Sequence, residues 1–531
     1  MKRLILVLLV FTFFVSCKIF APDYDILIKG GRVVDGSGKP GYSADVGIRN
    51  GKIVDIGNLQ SKSARQTIDA HGQVVAPGFI DLHTHAERRI LDFPDVHNYI
   101  RQGVTTVVGG NCGGSPWPTG EFLQKVKQKG IALNLALLVG HNTVRRQVMG
   151  TEDREPSPDE LEQMKAMVEQ AMREGAVGLS TGLKYVPGAY AKIDEVIELA
   201  KAVAKYGGFY ATHMRDEGLK LLDSVEEALE IGRRAGVPVH ISHHKAVGRS
   251  MWGKSALTLA KIDEAVRAGL DVTLDQYPYT ATSTGLTVVF PAWSLAGGQE
   301  PLLARLKDPE QRRKIKEAIV YNIIYDRGGG DPASIVVSSF PPDTTLEGKN
   351  LAEITRLRGR KPTPENAAET LMELQEMGGG RGIYHCLAEE DVKRIMQHPL
   401  TAVASDGVTI EYSKAKPHPR SYGTFPRVLG KYVREEKVLT LEEAIRKMTS
   451  LPAQRLKLKD RGRLQPGAWA DVVVFDPETV HDTATWTEPH QYPVGISFVL
   501  VNGQIVVDET GFTGNYPGRV VYGPGYMDEK K

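Results

Sequence analysis

Ser157-Pro158-Asp159-Glu160, followed some fifteen residues later by Gly175-Ala176-Val177-Gly178-Leu179-Ser180, decides the fold class. Serine followed three residues on by glutamate is a capping box, and proline in the first turn suits a helix start. A helix therefore runs to about Glu174, Gly175 stops it, and Ala176–Ser180 reads as a strand. The same alternation recurs on both sides. Strands are expected at Phe209–His213, Val237–Ser242, Asp271–Leu274 and Thr401–Ala404. Helices are expected near 193–206, 221–235 and 257–269. Strand, helix, strand in this rhythm implies βα units and a parallel sheet. The predicted fold is α/β, a (β/α)8 barrel carrying its site on the loops after the strands.

Outward from this core the rhythm changes. From about 290 to 400 the chain has Gly328-Gly329-Gly330, Gly378-Gly379-Gly380 and helices without strand partners, which reads as an insertion over the barrel mouth. Residues 22–75 are short strands, with Asn50-Gly51 between β-branched runs as a hairpin signal. Residues 454–531 repeat the style, with Asn502-Gly503 as the turn. Both ends together predict one β-sandwich flanking a barrel over 76–453.

Residues 1–21 read differently. Lys2-Arg3 is followed by an almost wholly apolar run, Leu4 to Val15, and then Ser16-Cys17. About a dozen apolar residues are too few to span a bilayer, which needs about 20, but they suit a secretory signal. Phe14-Val15-Ser16-Cys17 resembles a bacterial lipoprotein signal. That resemblance implies cleavage before Cys17, lipidation of its thiol, and an exported protein tethered to a membrane through its lipid alone. A plain secretory signal cut near Ala21 is the alternative.

Composition narrows the function. The 531 residues are 41% hydrophobic and 24% charged, with a formal charge of +2. Near-neutrality leaves no footprint for nucleic acid. There are three cysteines, Cys17, Cys112 and Cys386, and no disulfide is expected among them.

Metal-ligand side chains stand at the ends of predicted strands. Gly78-Phe79-Ile80-Asp81-Leu82 ends in His83-Thr84-His85, and residues two apart on a strand point the same way. Other strands end near Asn111-Cys112, at His213, at His243-His244 and at Asp406. In a barrel these ends converge on one face. Imidazole, thiolate and carboxylate are what a zinc-type ion accepts. Such an ion lowers the pKa of coordinated water to roughly 7, and a carboxylate beside that water can relay its proton. Asp406 is assigned that task. Spacing does not choose between His243 and His244. His71, His97, His240, His398, His481 and His490 read as ordinary structural histidines.

The first-strand motif resembles that of the amidohydrolase superfamily. The remainder is similar to its D-aminoacylase branch, the N-acyl-D-amino-acid deacylases. The stretches that carry this are Gly110-Asn111-Cys112-Gly113, Gly178-Leu179-Ser180-Thr181-Gly182-Leu183, Thr212-His213-Met214-Arg215, Ser242-His243-His244-Lys245, Tyr277-Pro278-Tyr279, Ser405-Asp406-Gly407, His418-Pro419-Arg420, Gly423-Thr424-Phe425-Pro426-Arg427 and Gly467-Ala468-Trp469-Ala470-Asp471.

The resemblance implies a tightly held zinc on Cys112, His213 and His243. It implies a weaker second position on His83 and His85, with Cys112 able to bridge in place of the superfamily's carboxylated lysine; Lys184 is not expected as a ligand. Asp406 would be the acid/base. Arg420, Tyr277, Ser283 and Lys245 would hold the substrate's α-carboxylate and neighbouring groups, and Tyr185 would lie near the scissile carbonyl. The implied reaction is zinc-dependent hydrolysis of small N-acyl-D-amino acids, or of dipeptides with a C-terminal D-residue. Independently, a substrate with a free carboxylate calls for a cationic clamp, and arginine's planar fork supplies one. The Asp406–Arg420 stretch is longer here than the usual family pattern. Two other functions fit the first motif: a cyclic amide hydrolase of the hydantoinase or dihydroorotase kind, and a catalytically silent, ligand-binding surface lipoprotein.

Overall fold

The computed structural model describes residues 22–411, 413 and 415–527; the signal segment and Cys17 lie outside them. The capping box forms as read. Glu160 N donates to Ser157 Oγ at 3.3 Å and Ser157 N donates to Glu160 Oε2 at 2.7 Å. The helix spans Pro158–Glu174, and Gly175 closes it at φ 113°. Its strand forms two residues later than expected, at Gly178–Gly182, because Ala176 N is still engaged by the helix end, donating to Ala171 O at 2.9 Å.

Eight parallel barrel strands follow in chain order: Phe79–Asp81, Val104–Gly109, Asn134–Leu137, Gly178–Gly182, Phe209–His213, Val239–Ile241, Val272–Gln276 and Thr401–Val403. Each pairs with its neighbour in sequence, except that the fourth pairs with Val139–Gly140, just after the end of the third. The ring closes between last and first: Asp406 N donates to His83 O at 2.8 Å, and Gly407–Val408 pairs with Thr84–His85. The helices Ile193–Lys205, Leu221–Ala235 and Ser255–Arg267 bury their apolar stripes against the strands.

The chain ends meet in one nine-stranded sheet. Val74–Pro77 from the N-terminal part pairs antiparallel with Val472–Phe475 from the C-terminal part. The sheet doubles over, bringing Gly51 of one Asn-Gly turn against Gly503 of the other. Period-two alternation assigns its faces. Val75, Val472 and Val474 pack inside the folded sheet, while Val74, Ala76, Val473 and Phe475 pack toward the barrel.

The insertion differs in its limits. It starts at Thr282–Gly285, which pairs with Arg381–Tyr384, itself paired with Ile335–Ser339. The later helix Glu389–Gln397 packs on the last barrel strand. Residues 282–290 thus belong to the insertion and 389–400 to the barrel. The triple glycines had marked turns, whereas the antiparallel pairing that sets the true limits is non-local.

Candidate metal centre and functional site

The converging strand ends bring the predicted set together. Cys112 Sγ lies 3.3 Å from His83 Nε2, 3.7 Å from His213 Nδ1 and 3.6 Å from His243 Nε2. His83, His85 and Cys112 form one compact donor triad, and Cys112, His213 and His243 a second sharing the thiol. Asp406 Oδ1 stands 3.3 Å from His85 Nε2 and 3.7 Å from His83 Nε2.

Backbone conformation aims three of these side chains. Cys112, His243 and Asp406 have φ of 54°, 36° and 48°. Such left-handed residues cost about 1–3 kcal/mol each and persist where the surroundings over-determine them. Around Cys112 the flanking glycines do this. A Cβ on Gly110 would meet Leu138 O at 2.2 Å, and one on Gly113 would meet Asn142 Oδ1 at 2.0 Å. Asp81 fixes Asp406 from the other side: it accepts from Ser405 N at 3.0 Å and from His83 N at 3.2 Å, stapling the last strand to the first.

His243 faces the cluster and His244 turns away, its Nε2 2.8 Å from Thr258 Oγ1. Lys184 pairs with Asp326 at 3.4 Å, away from the donors. His240 is buried and serves the site indirectly, since its Nε2 meets Asp275 Oδ2 at 2.7 Å. His71 and His481 are exposed.

The donors are poised for a thiophilic cation. Burial opposes ionisation of Cys112, but the charge on His83 and contacts from His213, His243 and His83 outweigh it and hold the thiol well below its usual range. Burial pushes His213 down to about 4, keeping it a neutral ligand at pH 7. A thiolate among imidazoles matches the zinc donor set.

Two buried carboxylates behind the donors escaped the sequence reading. Asp275 Oδ1 accepts from His243 N at 2.6 Å, and Oδ2 meets His83 Nδ1 at 3.3 Å. Glu217 Oε1 lies 3.1 Å from His243 Nδ1, and its Oε2 lies 3.7 Å from His213 Nε2. Asp275 sits at a strand end, so the positional logic that found the histidines would have found it too. Glu217 lies on a loop after His213 and carried no such signal.

The substrate-binding expectations separate into two layers. Tyr185, Ser283 and Arg420 line the cavity above the donors. Arg420 Nη1 pairs with Asp406 Oδ2 at 2.9 Å. Tyr277 lies behind, its ring 4.6 Å from the Arg420 guanidinium. Lys245 is also outside the cavity wall, its ammonium held by Glu217 at 2.5 Å and by His243 Nδ1 at 2.8 Å.

A model described as the amidohydrolase family matches residues 66–306 and 343–507. The chain belongs to the amidohydrolase family, in its D-aminoacylase branch. The unmatched residues between the two stretches fall inside the insertion. A D-aminoacylase of Alcaligenes xylosoxydans xylosoxydans is 39% identical over 521 residues, 94% of this chain and 97% of that one. An N-acyl-D-glutamate deacylase of the same organism is 38% identical over 94% of this chain and 96% of its own. Among solved structures, the N-acyl-D-glutamate deacylase of Bordetella bronchiseptica, complexed with zinc and a phosphonate mimic of the tetrahedral intermediate, superposes with a TM-score of 0.80 at 38% identity, covering 94% of this chain and 99% of that one. A D-aminoacylase with a binuclear metal centre, described by one-metal activation and second-metal attenuation, gives the same TM-score, identity and coverage. D-hydantoinase, at 15% identity and TM-score 0.56, shares the fold alone.

Proposed function

We propose that this amidohydrolase splits the amide bond of N-acyl-D-amino acids, or of dipeptides ending in a D-residue, into a carboxylate and a free D-amino acid. One observation carries the reading: a thiol within 3.3–3.7 Å of three imidazoles, beside a carboxylate–guanidinium pair at 2.9 Å. The activities named for the full-length relatives support it and supply the D-series preference.

Cys112, His213 and His243 would hold zinc, and His83 and His85 offer a second position that shares Cys112. A bound zinc supplies Lewis acidity to the amide carbonyl and lowers the pKa of water near it. The remaining work falls to the chain's own groups. Arg420, stacked on Tyr277, offers its fork to the α-carboxylate and so fixes the scissile bond over the donors. Asp406 takes the proton of the attacking water as the C–O bond forms, and gives it to the nitrogen as the C–N bond breaks. Arg420 is the partner of Asp406 in the ligand-free site, so substrate binding shares one guanidinium between two carboxylates. That draws charge stabilisation away from Asp406 and favours its role as base. Tyr185, whose hydroxyl accepts from Thr284 at 3.2 Å, walls the carbonyl side.

The sequence of residues 1–17 supports export and lipid anchoring at Cys17, which would place the substrate outside the cytoplasm.

The test is a hydrolysis screen of N-acetyl amino acids and dipeptides in both stereochemical series, with a hydantoin alongside and metal analysis of the same sample. Release of D-amino acids by zinc-containing protein is expected. Zinc-loaded protein that cleaves only the hydantoin, or nothing, overturns the reading.

A further inference from the structure

Beyond Asp406 and Arg420 the cavity wall is unusually cationic. Arg88, Arg146, Arg381 and Arg420 all line the space above the donors, a cavity of about 270 Å³, and Asp406 is the one carboxylate there. That carboxylate is already paired with Arg420. Arg381 stands on the central strand of the insertion's small sheet, opposite Gly285. Among the described residues its side chain has no ion-pair or hydrogen-bond partner. Arg88 and Arg420 repel it more strongly than Asp406 attracts it, so the surroundings offer this guanidinium more repulsion than pairing. Arg381 is exposed, so water solvates its guanidinium at the mouth of the site and an incoming anion can pair with it.

A second cavity of about 330 Å³ continues from the first. Arg88, Ser283, Arg381, Asp406 and Arg420 border both spaces. The continuation adds the hydroxyl-bearing residues Ser338, Ser339 and Thr409, and no carboxylate. On the opposite side, past Tyr185 and Val186, lies a larger chamber of about 590 Å³ with apolar walls from Phe290, Leu295 and Leu302. The substrate's two halves have different destinations. With the α-carboxylate on Arg420, the Arg381 chamber receives what branches from the same carbon, and the apolar chamber lies toward the acyl half.

We infer that Arg381, with Arg88 beside it, forms a second carboxylate subsite, and that the substrate's amino-acid half bears an acidic side chain. This rests on the deacylase reading above and names the substrate class within it. The Arg381 guanidinium facing a carboxylate gives paired, charge-assisted bonds that a neutral side chain cannot form, and Arg88, whose Nε lies 3.7 Å from Glu87 Oε1, adds positive charge beside it. A neutral substrate would leave Arg381 unmatched at each turnover.

The experiment compares N-acetyl-D-glutamate, N-acetyl-D-leucine and N-succinyl-D-alanine as substrates of the zinc-loaded full chain. Wild type is expected to favour N-acetyl-D-glutamate over N-acetyl-D-leucine in kcat/KM. Arg381→Ala is expected to lower the glutamate-to-leucine ratio at least tenfold, mainly through KM for the acidic substrate. Arg381→Lys should recover part of it, and Arg381→Glu should shift preference toward N-acetyl-D-ornithine. Unchanged zinc content and melting temperature in each variant exclude misfolding as the cause. The inference is overturned if wild type favours the leucine substrate, or if the ratio survives Arg381→Ala. A preference for N-succinyl-D-alanine over the glutamate substrate would put the second anion on the acyl half and overturn the assignment. If none of the three is cleaved, the deacylase reading itself fails and this one with it.

Discussion

Replacing Asp275 by Asn removes a charge that no substrate touches, yet it should loosen the metal site. Asp275 Oδ2 faces two ring nitrogens, His240 Nε2 at 2.7 Å and His83 Nδ1 at 3.3 Å. A carboxylate only accepts, so both nitrogens carry hydrogens. When His83 is neutral, as a metal ligand must be, its lone pair is then on Nε2, the nitrogen 3.3 Å from Cys112 Sγ. Asp275 Oδ1 accepts from His243 N at 2.6 Å, so an asparagine must keep its oxygen there and turn its amide toward the two rings. Its N–H groups now oppose N–H donors. His83 relieves the clash by moving its proton to Nε2, which blocks the lone pair meant for a metal. Loss of such a partner typically costs 10–100-fold in metal affinity, which is about 1.4–2.8 kcal/mol at about 1.4 kcal/mol per tenfold. The assay is a zinc competition titration against a chromophoric chelator, with wild type in parallel. Asp275→Asn binding both zinc equivalents within twofold of wild type would show that the tautomer of His83 is not set by this carboxylate.

Three further outcomes are expected. Asp406→Asn should keep fold and zinc, because asparagine tolerates left-handed backbone, while kcat falls by about 10²–10⁴ as the proton relay is lost; single-turnover kinetics and metal analysis on one sample check this, and turnover within a few-fold of wild type would remove Asp406 from the reaction. Arg420→Ala should raise KM for carboxylate-bearing substrates about 10–100-fold, since a bidentate, charge-assisted contact is lost; steady-state kinetics with an α-carboxamide analogue as comparison reads it, and an equal loss on the amide would contradict the clamp. Chelation should lower the melting temperature reversibly, because an ion bound only by the folded chain stabilises it by about 4 kcal/mol at a thousandfold excess over its Kd; calorimetry with and without added zinc measures the shift, and an unchanged transition would speak against Cys112, His213 and His243 as a tight site.

Much of the architecture was legible locally. The Ser157–Glu160 capping box, the Asn50-Gly51 and Asn502-Gly503 turns and the helices after residues 193, 221 and 255 follow from short-range chemistry, and each forms within about two residues of its reading. The insertion's limits were not legible, because Thr282–Gly285 becomes a strand only by pairing with Arg381–Tyr384, about a hundred residues away. The donors were visible because zinc chemistry restricts ligands to few residue types and barrel strands deliver them at their ends. Glu217 was invisible because nothing within its own segment distinguishes it from a solvated loop carboxylate.

Residue identity and spacing thus determined which atoms are available: the paired imidazoles of His83 and His85, one thiol, one carboxylate at Asp406 and an arginine to follow it. Folding decided how they are used. It chose His243 over its neighbour, sent Lys245 to Glu217 instead of the cavity, placed Arg420 against Asp406 and left Arg381 facing open space. The physical reason is that covalent neighbours set side-chain chemistry and local backbone preference. Which groups lose water together, and so which charges must be shared, depends on contacts between segments far apart in the chain.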